Sequence, residues 1–166
     1  AVAGWMASNS RESRVGTIRL FDFRTGKLID QLEGHVNAVT ALAFSNDGKT
    51  LASAAGDQIR LWDLSTRKAV RSIFRHKNYT YHLAFTPDGQ RLISGSNDNT
   101  LALTRIADGK LVARMRGHKG NIISFAISPK DGTIATSSLD KTIRFWDGRT
   151  GRLLKTFVRL KNRGLG

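Results

Sequence analysis

The chain has 166 residues, of which 40% are hydrophobic and 24% charged, with 16 Gly and 2 Pro; this mix fits about one folded domain and excludes a disordered chain. It contains no cysteine, which excludes a disulfide framework and thiolate chemistry. Twenty-seven Lys+Arg against thirteen Asp+Glu give a net charge of +14, so an anionic partner is worth testing.

In chain order the sequence repeats itself, and a repeat must be found before any other feature is weighed. Residues 1–33 read as a partial unit that lacks its innermost strand, with a strand at Trp5–Ser8 and a further one within GTIRLFD at 16–22. Residues 34–74 are a full unit that opens on Gly34-His35 and carries LASAAGDQIRLWD at 51–63. Residues 75–116 open on Arg75-His76 and carry the looser LISGSNDNTLALTR at 92–105. Residues 117–158 open on Gly117-His118 and carry IATSSLDKTIRFWD at 134–147, and a basic, Gly-rich tail fills 159–166. The anchors Phe21, Trp62, Thr104 and Trp146 stand 41, 42 and 42 residues apart.

Each period reads as all-β. Segments such as Val39–Phe44, Thr50–Ser53, Ile59–Trp62 and Ala69–Phe74 are short and rich in β-branched and aromatic residues. Asn46-Asp47-Gly48, Pro87-Asp88-Gly89 and Lys130-Asp131-Gly132 link a first strand to a second; Arg24-Thr25-Gly26, Ala107-Asp108-Gly109 and Arg149-Thr150-Gly151 link a third to a fourth. Four short strands per period and no helical pattern predict stacked, antiparallel four-stranded units.

Gly-His, about 28 residues, then Trp-Asp, recurring at 42, closely resembles the WD-repeat family of β-propellers. The resemblance covers nearly the whole chain and implies an arc of about four blades. It also implies that a polar set in each repeat forms a structural hydrogen-bond tetrad. Those sets are His35, Ser53, Asp57 and Trp62; His76, Ser94 and Asp98, with Thr104 where Trp would stand; and His118, Thr136, Asp140 and Trp146. His to Ser/Thr is 18 residues and Ser/Thr to Asp is 4 in all three. A hydrolase triad uses the same residue types, but a catalytic site is needed once and this set recurs in every full unit. No phosphate loop, HExxH or EF-hand pattern is present. The expectation is therefore a protein without catalytic residues, metal, cofactor or small-molecule substrate.

About four blades fall short of the rings of seven or eight that the family implies. Either the chain is part of a longer propeller, or two copies close one ring, or four blades close alone; an uncovered blade face favours the first. The cations gather in acid-free stretches, predicting a basic outer rim of Arg67, Lys68, Arg71, Lys110, Arg114, Arg116, Arg152 and Lys155 with no structural duty of their own. In the family, partners dock on the face that carries the connections between units. There the irregular second repeat predicts a patch of Asn37, Asn78, Tyr79, Asn97, Asn99 and Asn121 for a protein or peptide. The reading is a protein–protein interaction scaffold; the alternatives are a rim that binds nucleic acid or another polyanion, and a sensor domain of a larger enzyme. No signal peptide opens the chain and no apolar run spans a membrane, so a cytoplasmic setting is expected.

Overall fold

The structure is a computed structural model that describes residues 2–3 and 16–158. The strand expected at Trp5–Ser8 and the tail 159–166 lie outside the described residues. Among the described residues there are fifteen strands and no helix.

The strands are β1 (Val2–Ala3), β2 (Gly16–Phe21), β3 (Leu28–His35), β4 (Val39–Phe44), β5 (Thr50–Ala55), β6 (Gln58–Asp63), β7 (Lys68–Phe74), β8 (Thr80–Phe85), β9 (Arg91–Ser96), β10 (Leu101–Arg105), β11 (Leu111–Met115), β12 (Ile122–Ile127), β13 (Ile134–Ser138), β14 (Thr142–Trp146) and β15 (Leu153–Val158). They form a three-stranded sheet, β1-β2-β3, and three four-stranded antiparallel sheets, β4-β5-β6-β7, β8-β9-β10-β11 and β12-β13-β14-β15. Each four-stranded sheet is a meander, so every connection is short. Gly34-His35 ends the first sheet, where Gly16 pairs with His35, whereas Arg75-His76 and Gly117-His118 lie in the connections between sheets.

Turn chemistry accounts for the corners. Asp47, Asp88 and Asp131 each accept a backbone N–H two residues on, as do Asp63, Asp108 and Asp147 in the second set of turns. Gly26, Gly109 and Gly151 close that second set with φ near +70°; Arg67 takes the same place in the β6–β7 turn at φ 60°, where a side chain is disfavoured.

Three apolar joints hold the sheets together. Ile18, Leu20 and Leu32 of the first sheet pack on Leu51 and Trp62 of the second. Ala52, Ala54, Ile59, Leu61 and Ile73 of the second pack on Phe85 and Leu92 of the third. Ile93, Leu101, Leu103 and Met115 of the third pack on Ile122, Ile134 and Trp146 of the fourth. Each sheet thus offers one face to its predecessor and the other to its successor, as the alternation of a β-strand requires.

The fourth sheet repeats the successor-facing pattern with nothing upon it among the described residues. The cross-strand registers place Ile143, Phe145 and Phe157 where the second sheet has Ile59, Leu61 and Ile73, and the third has Leu101, Leu103 and Met115. The latter six are sealed from solvent, whereas Ile143 is 46% and Phe157 48% exposed. Truncating Leu101 to Ala should therefore cost about 2–5 kcal/mol. Ile143→Ala should cost less than about 1 kcal/mol in this chain, and urea unfolding of the two variants measures the difference.

Candidate functional site

The connections β3–β4, β7–β8 and β11–β12, together with the hairpins β5–β6, β9–β10 and β13–β14, meet at one end of the sheets. A buried histidine anchors each connection. His76 Nε2 lies 2.8 Å from Ser94 Oγ on β9, and its Nδ1 lies 3.0 Å from Asp98 Oδ2. His118 repeats this with Thr136 Oγ1 at 2.8 Å and Asp140 Oδ2 at 2.9 Å, and Trp146 Nε1 donates to the same threonine at 2.9 Å. Both aspartates also accept the backbone N–H of the residue after the histidine, Lys77 or Lys119, and the hydroxyl of Thr100 or Thr142. One carboxylate thereby ties the connection, the hairpin and the imidazole together.

The first full repeat departs from the expected tetrad. His35 Nε2 meets Ser53 Oγ at 2.7 Å and Trp62 Nε1 donates to that oxygen at 2.7 Å, but Asp57 is exposed and His35 Nδ1, buried, has no partner. The reason is one missing residue. Ser53 and Trp62 are 9 apart, whereas Thr136 and Trp146 are 10 apart. The β5–β6 hairpin accordingly closes as a two-residue turn on the pair Ala55–Gln58, with Asp57 at its tip. The longer hairpins keep a residue with positive φ after the aspartate, Asn99 or Lys141, and that residue swings the carboxylate inward.

The second full repeat keeps the aspartate and lacks the indole. Thr104 fills the tryptophan position, buried, with its hydroxyl unpartnered. Its other departures are linked. Arg60 and Arg144 lie over the glycines of Gly34-His35 and Gly117-His118, where an added Cβ would fall 2.2 and 2.3 Å from the guanidinium. In the second repeat the glycine becomes Arg75, which does not take a positive φ, and the covering arginine becomes Ala102. Ala102 pairs across the ladder with Arg114, where the sibling sheets have Ser72 and Thr156. Arg114 Nη1 reaches Thr100 Oγ1 at 3.1 Å and its Nη2 donates to the Arg75 carbonyl, so the guanidinium returns to the tetrad from the adjacent strand.

This finding corrects the expected rim. Arg71 donates to the carbonyls of Asp108 and Ala107 at 3.0 Å each, Arg67 pairs with Asp30 at 2.9 Å, and Arg114 is engaged as above. Lys155 Nζ sits 4.7 Å from the Phe157 ring. Lys68, Lys110, Arg116 and Arg152 are exposed. Three of the eight predicted rim cations, Arg67, Arg71 and Arg114, thus have partners outside their own strand.

Of the predicted patch, Asn37, Asn78 and Tyr79 are exposed, and Asn97, Asn99 and Asn121 are half-buried. Asn78 Oδ1 accepts the Tyr79 N–H at 2.8 Å, and the Tyr79 carbonyl accepts the Asn97 N–H at 3.1 Å, which brings these three together. Asn37 packs near Gly56 in the preceding hairpin, and the Asn121 carbonyl accepts the Leu139 N–H in the following one. Asn99 acts as a turn residue, with its amide oxygen sequestered. Tyr81, outside the predicted set, is also at this end. The inner strands carry a register shift at Thr40, Tyr81 and Ile123, and the bulge turns these side chains out of the strand's alternation. Tyr81 stacks on Tyr79, ring centroids 6.1 Å apart and 23° between planes.

Protonation follows the geometry. Burial is the largest influence on Asp98 and pushes its carboxyl up, yet the hydrogen bonds from His76, Thr100 and Lys77 together hold it well below the usual carboxylate range. Asp140 is held low in the same way against burial, by Thr142, Lys119 and His118. His35, without a carboxylate, is lowered from 6.5 to about 4, first by burial and then by the Arg60 charge. Among the described residues no cluster of His, Asp or Glu stands ready to hold a metal ion.

The WD domain, G-beta repeat family matches residues 26–63, 67–103 and 109–147. The pre-rRNA-processing protein crb3/ipi3 of Schizosaccharomyces pombe is 29% identical over 157 residues, covering 93% of this chain and 28% of that protein. An uncharacterized WD repeat-containing protein of Synechocystis is 28% identical over 78% of this chain and 38% of its own length. Ribosome assembly protein 4 of Saccharomyces cerevisiae is 42% identical over 29% of this chain and 9% of that protein. The chain spans well under half the length of these curated relatives.

Asp98→Ala and Asp140→Ala should each cost about 1–3 kcal/mol, because a buried imidazole loses its partner. Asp57→Ala should stay within about 0.5 kcal/mol. Acid should act in two windows. Between pH 6.5 and about 4 the unfolded chain takes a proton at His35 that the folded chain refuses, so stability falls on acidification. The variant His35→Gln should shrink that window in urea titrations to the part that His82, also lowered by burial, retains, while the loss below pH 3.8, to which Asp98 and Asp140 contribute, persists.

Proposed function

Because this chain belongs to the WD-repeat family, we propose that it is a docking scaffold whose partner protein or peptide binds the connection-bearing end of the sheets. Scaffolding of proteins is the general role that its family supports. The finer assignment rests on one observation: exposed Tyr79 and Tyr81, stacked on each other, lie beside Asn78 and the half-buried Asn97 on a connection pinned by the His76 relay. Tyrosine is among the side chains that most often anchor interfaces, and a rigid backbone limits the entropy lost on binding. Relatives named for pre-rRNA processing and ribosome assembly are compatible with work inside a larger complex. The engagement of Arg71, Arg67 and Arg114 weighs against the rim as a polyanion track.

A photo-crosslinking residue placed at Asn78 should capture the partner in the native source. The same residue at Gln90, in a turn at the opposite end, should not. Capture at Gln90 alone would move the docking site to the other end and overturn the assignment.

The successor-facing side of the fourth sheet leads to a second proposal, that a further blade of the same kind covers Ile143, Phe145 and Phe157. The matched positions in the second and third sheets support it, because both are sealed by the next sheet. The intact mass of the protein from its native source should then exceed 18.3 kDa by the mass of further repeats. A native mass of 18.3 kDa would assign the face to a second copy instead.

A further inference from the structure

The two ends of the sheets differ in how their acids are used. The turn end carries Asp47, Asp88, Asp131, Asp63, Asp108 and Asp147, each largely exposed or half-exposed and each next to the cations of the same turns. At the connection end, Asp98 and Asp140 are withdrawn into the relays, with side chains only 11% and 8% exposed and their oxygens already accepting. Their charge faces the histidines rather than solvent. Lys77, Lys119 and Lys141 stand on the same connections and hairpin, exposed, and form no ion pair among the described residues. The exposed acids there, Glu33 near the end of β3 and Asp57 on the short β5–β6 hairpin, belong to the first and second sheets, away from these lysines on the third and fourth.

Around these lysines the end is apolar as well as amide-rich. Tyr79 is 46%, Tyr81 41%, Ile123 52% and Leu139 64% exposed. Tyr81 and Ile123 are the bulge residues of neighbouring inner strands, so both are turned outward by the same backbone device. The stacked tyrosines, both exposed, suit contact with an aromatic ring, a proline or an aliphatic side chain.

Building on the docking role proposed above, we propose that the partner segment is an acidic peptide that lays an apolar or aromatic side chain on the Tyr79–Tyr81 stack and its carboxylates toward Lys77, Lys119 and Lys141. A peptide is favoured over a single-stranded nucleic acid by the spacing of the charges. The lysines come one per connection or hairpin, as point charges, while the arginines that would track a phosphate backbone at this joint, Arg75 and Arg114, donate to backbone carbonyls. Exposed Ile123 and Leu139 add apolar surface of a kind that peptide side chains fill and nucleotides do not.

A random 12-residue peptide library displayed on phage and selected on the immobilised 166-residue chain tests this, with near-UV circular dichroism confirming the fold of each variant. Selected peptides should be rich in Asp and Glu around an aromatic, proline or aliphatic residue. As synthetic peptides they should lose at least tenfold in affinity to Tyr79→Ala/Tyr81→Ala and to Lys77→Gln/Lys119→Gln/Lys141→Gln, and lose affinity as salt is raised. Peptides that are lost with the tyrosines but carry no acidic bias would overturn the acidic partner and leave the docking reading standing. Peptides indifferent to both variants would remove the docking reading itself. A 12-residue oligouridylate that binds more tightly than the best peptide, and does so through the same tyrosines, would assign the site to nucleic acid and overturn the proposal.

Discussion

An imidazole sealed from water leaves two ring nitrogens to satisfy, and each one left bare costs free energy on the scale of a lost hydrogen bond. His35, His76 and His118 are all at most 7% exposed, so this constraint arises three times; it is met in full at His76 and His118 and at one nitrogen of His35. Meeting it welds each outer connection to the central strands and so sets where the exposed residues of that connection stand. The third full repeat has every member of the relay. The first lacks the carboxylate, because its hairpin is one residue short, and the second lacks the indole. No full repeat lacks both, and in each of the three the contact from Nε2 to a serine or threonine hydroxyl survives. That contact is the part the packing cannot spare.

The irregular repeat shows how local changes travel through neighbours. Replacing the glycine before His76 with Arg75 is compatible with an alanine at 102, since the ordinary arginine there would occupy the same space. The lost guanidinium returns through Arg114 on the paired strand, and Arg71 of β7 and Arg75 just after it donate to the carbonyls of the β10–β11 turn. Three positions that look like independent drift are one exchange. The joint it serves is the one without an indole, where Phe85 and Leu92 meet Ala52, Ala54 and Leu61. Polar clamps at its edge stand where the other joints rely on a buried tryptophan.

Much of this was legible in the sequence, for a physical reason: strand alternation, turn residues and the His-to-hydroxyl spacing are local and recur. The fold class and the His–Ser/Thr–Asp geometry of the second and third full repeats follow from them. Asp57 shows the limit. Its spacing of four from Ser53 matches its siblings, yet the deletion lies just after it, visible only as a Ser53-to-Trp62 interval one residue short. The fate of the arginines was not legible, because Arg71 and Arg114 find their acceptors in other strands and turns. Tyr81 stood outside the predicted patch, because a bulge breaks the alternation by which a strand is read.

The basic balance of the chain acquires a cause from this arrangement. Most of its acids are fixed by the backbone: seven cap the two sets of turns at one end, and two more are drawn into the relays at the other. Neither duty depends on a partner. What the fold leaves free is the sign of the surface around the connections, and on the third and fourth sheets Lys77, Lys119 and Lys141 stand there beside tyrosines and amides. An excess of positive charge spread evenly would speak only of solubility. Beside an aromatic pair held out of its strand by a bulge, the exposed Lys77, Lys119 and Lys141 give that end a chemical preference of its own.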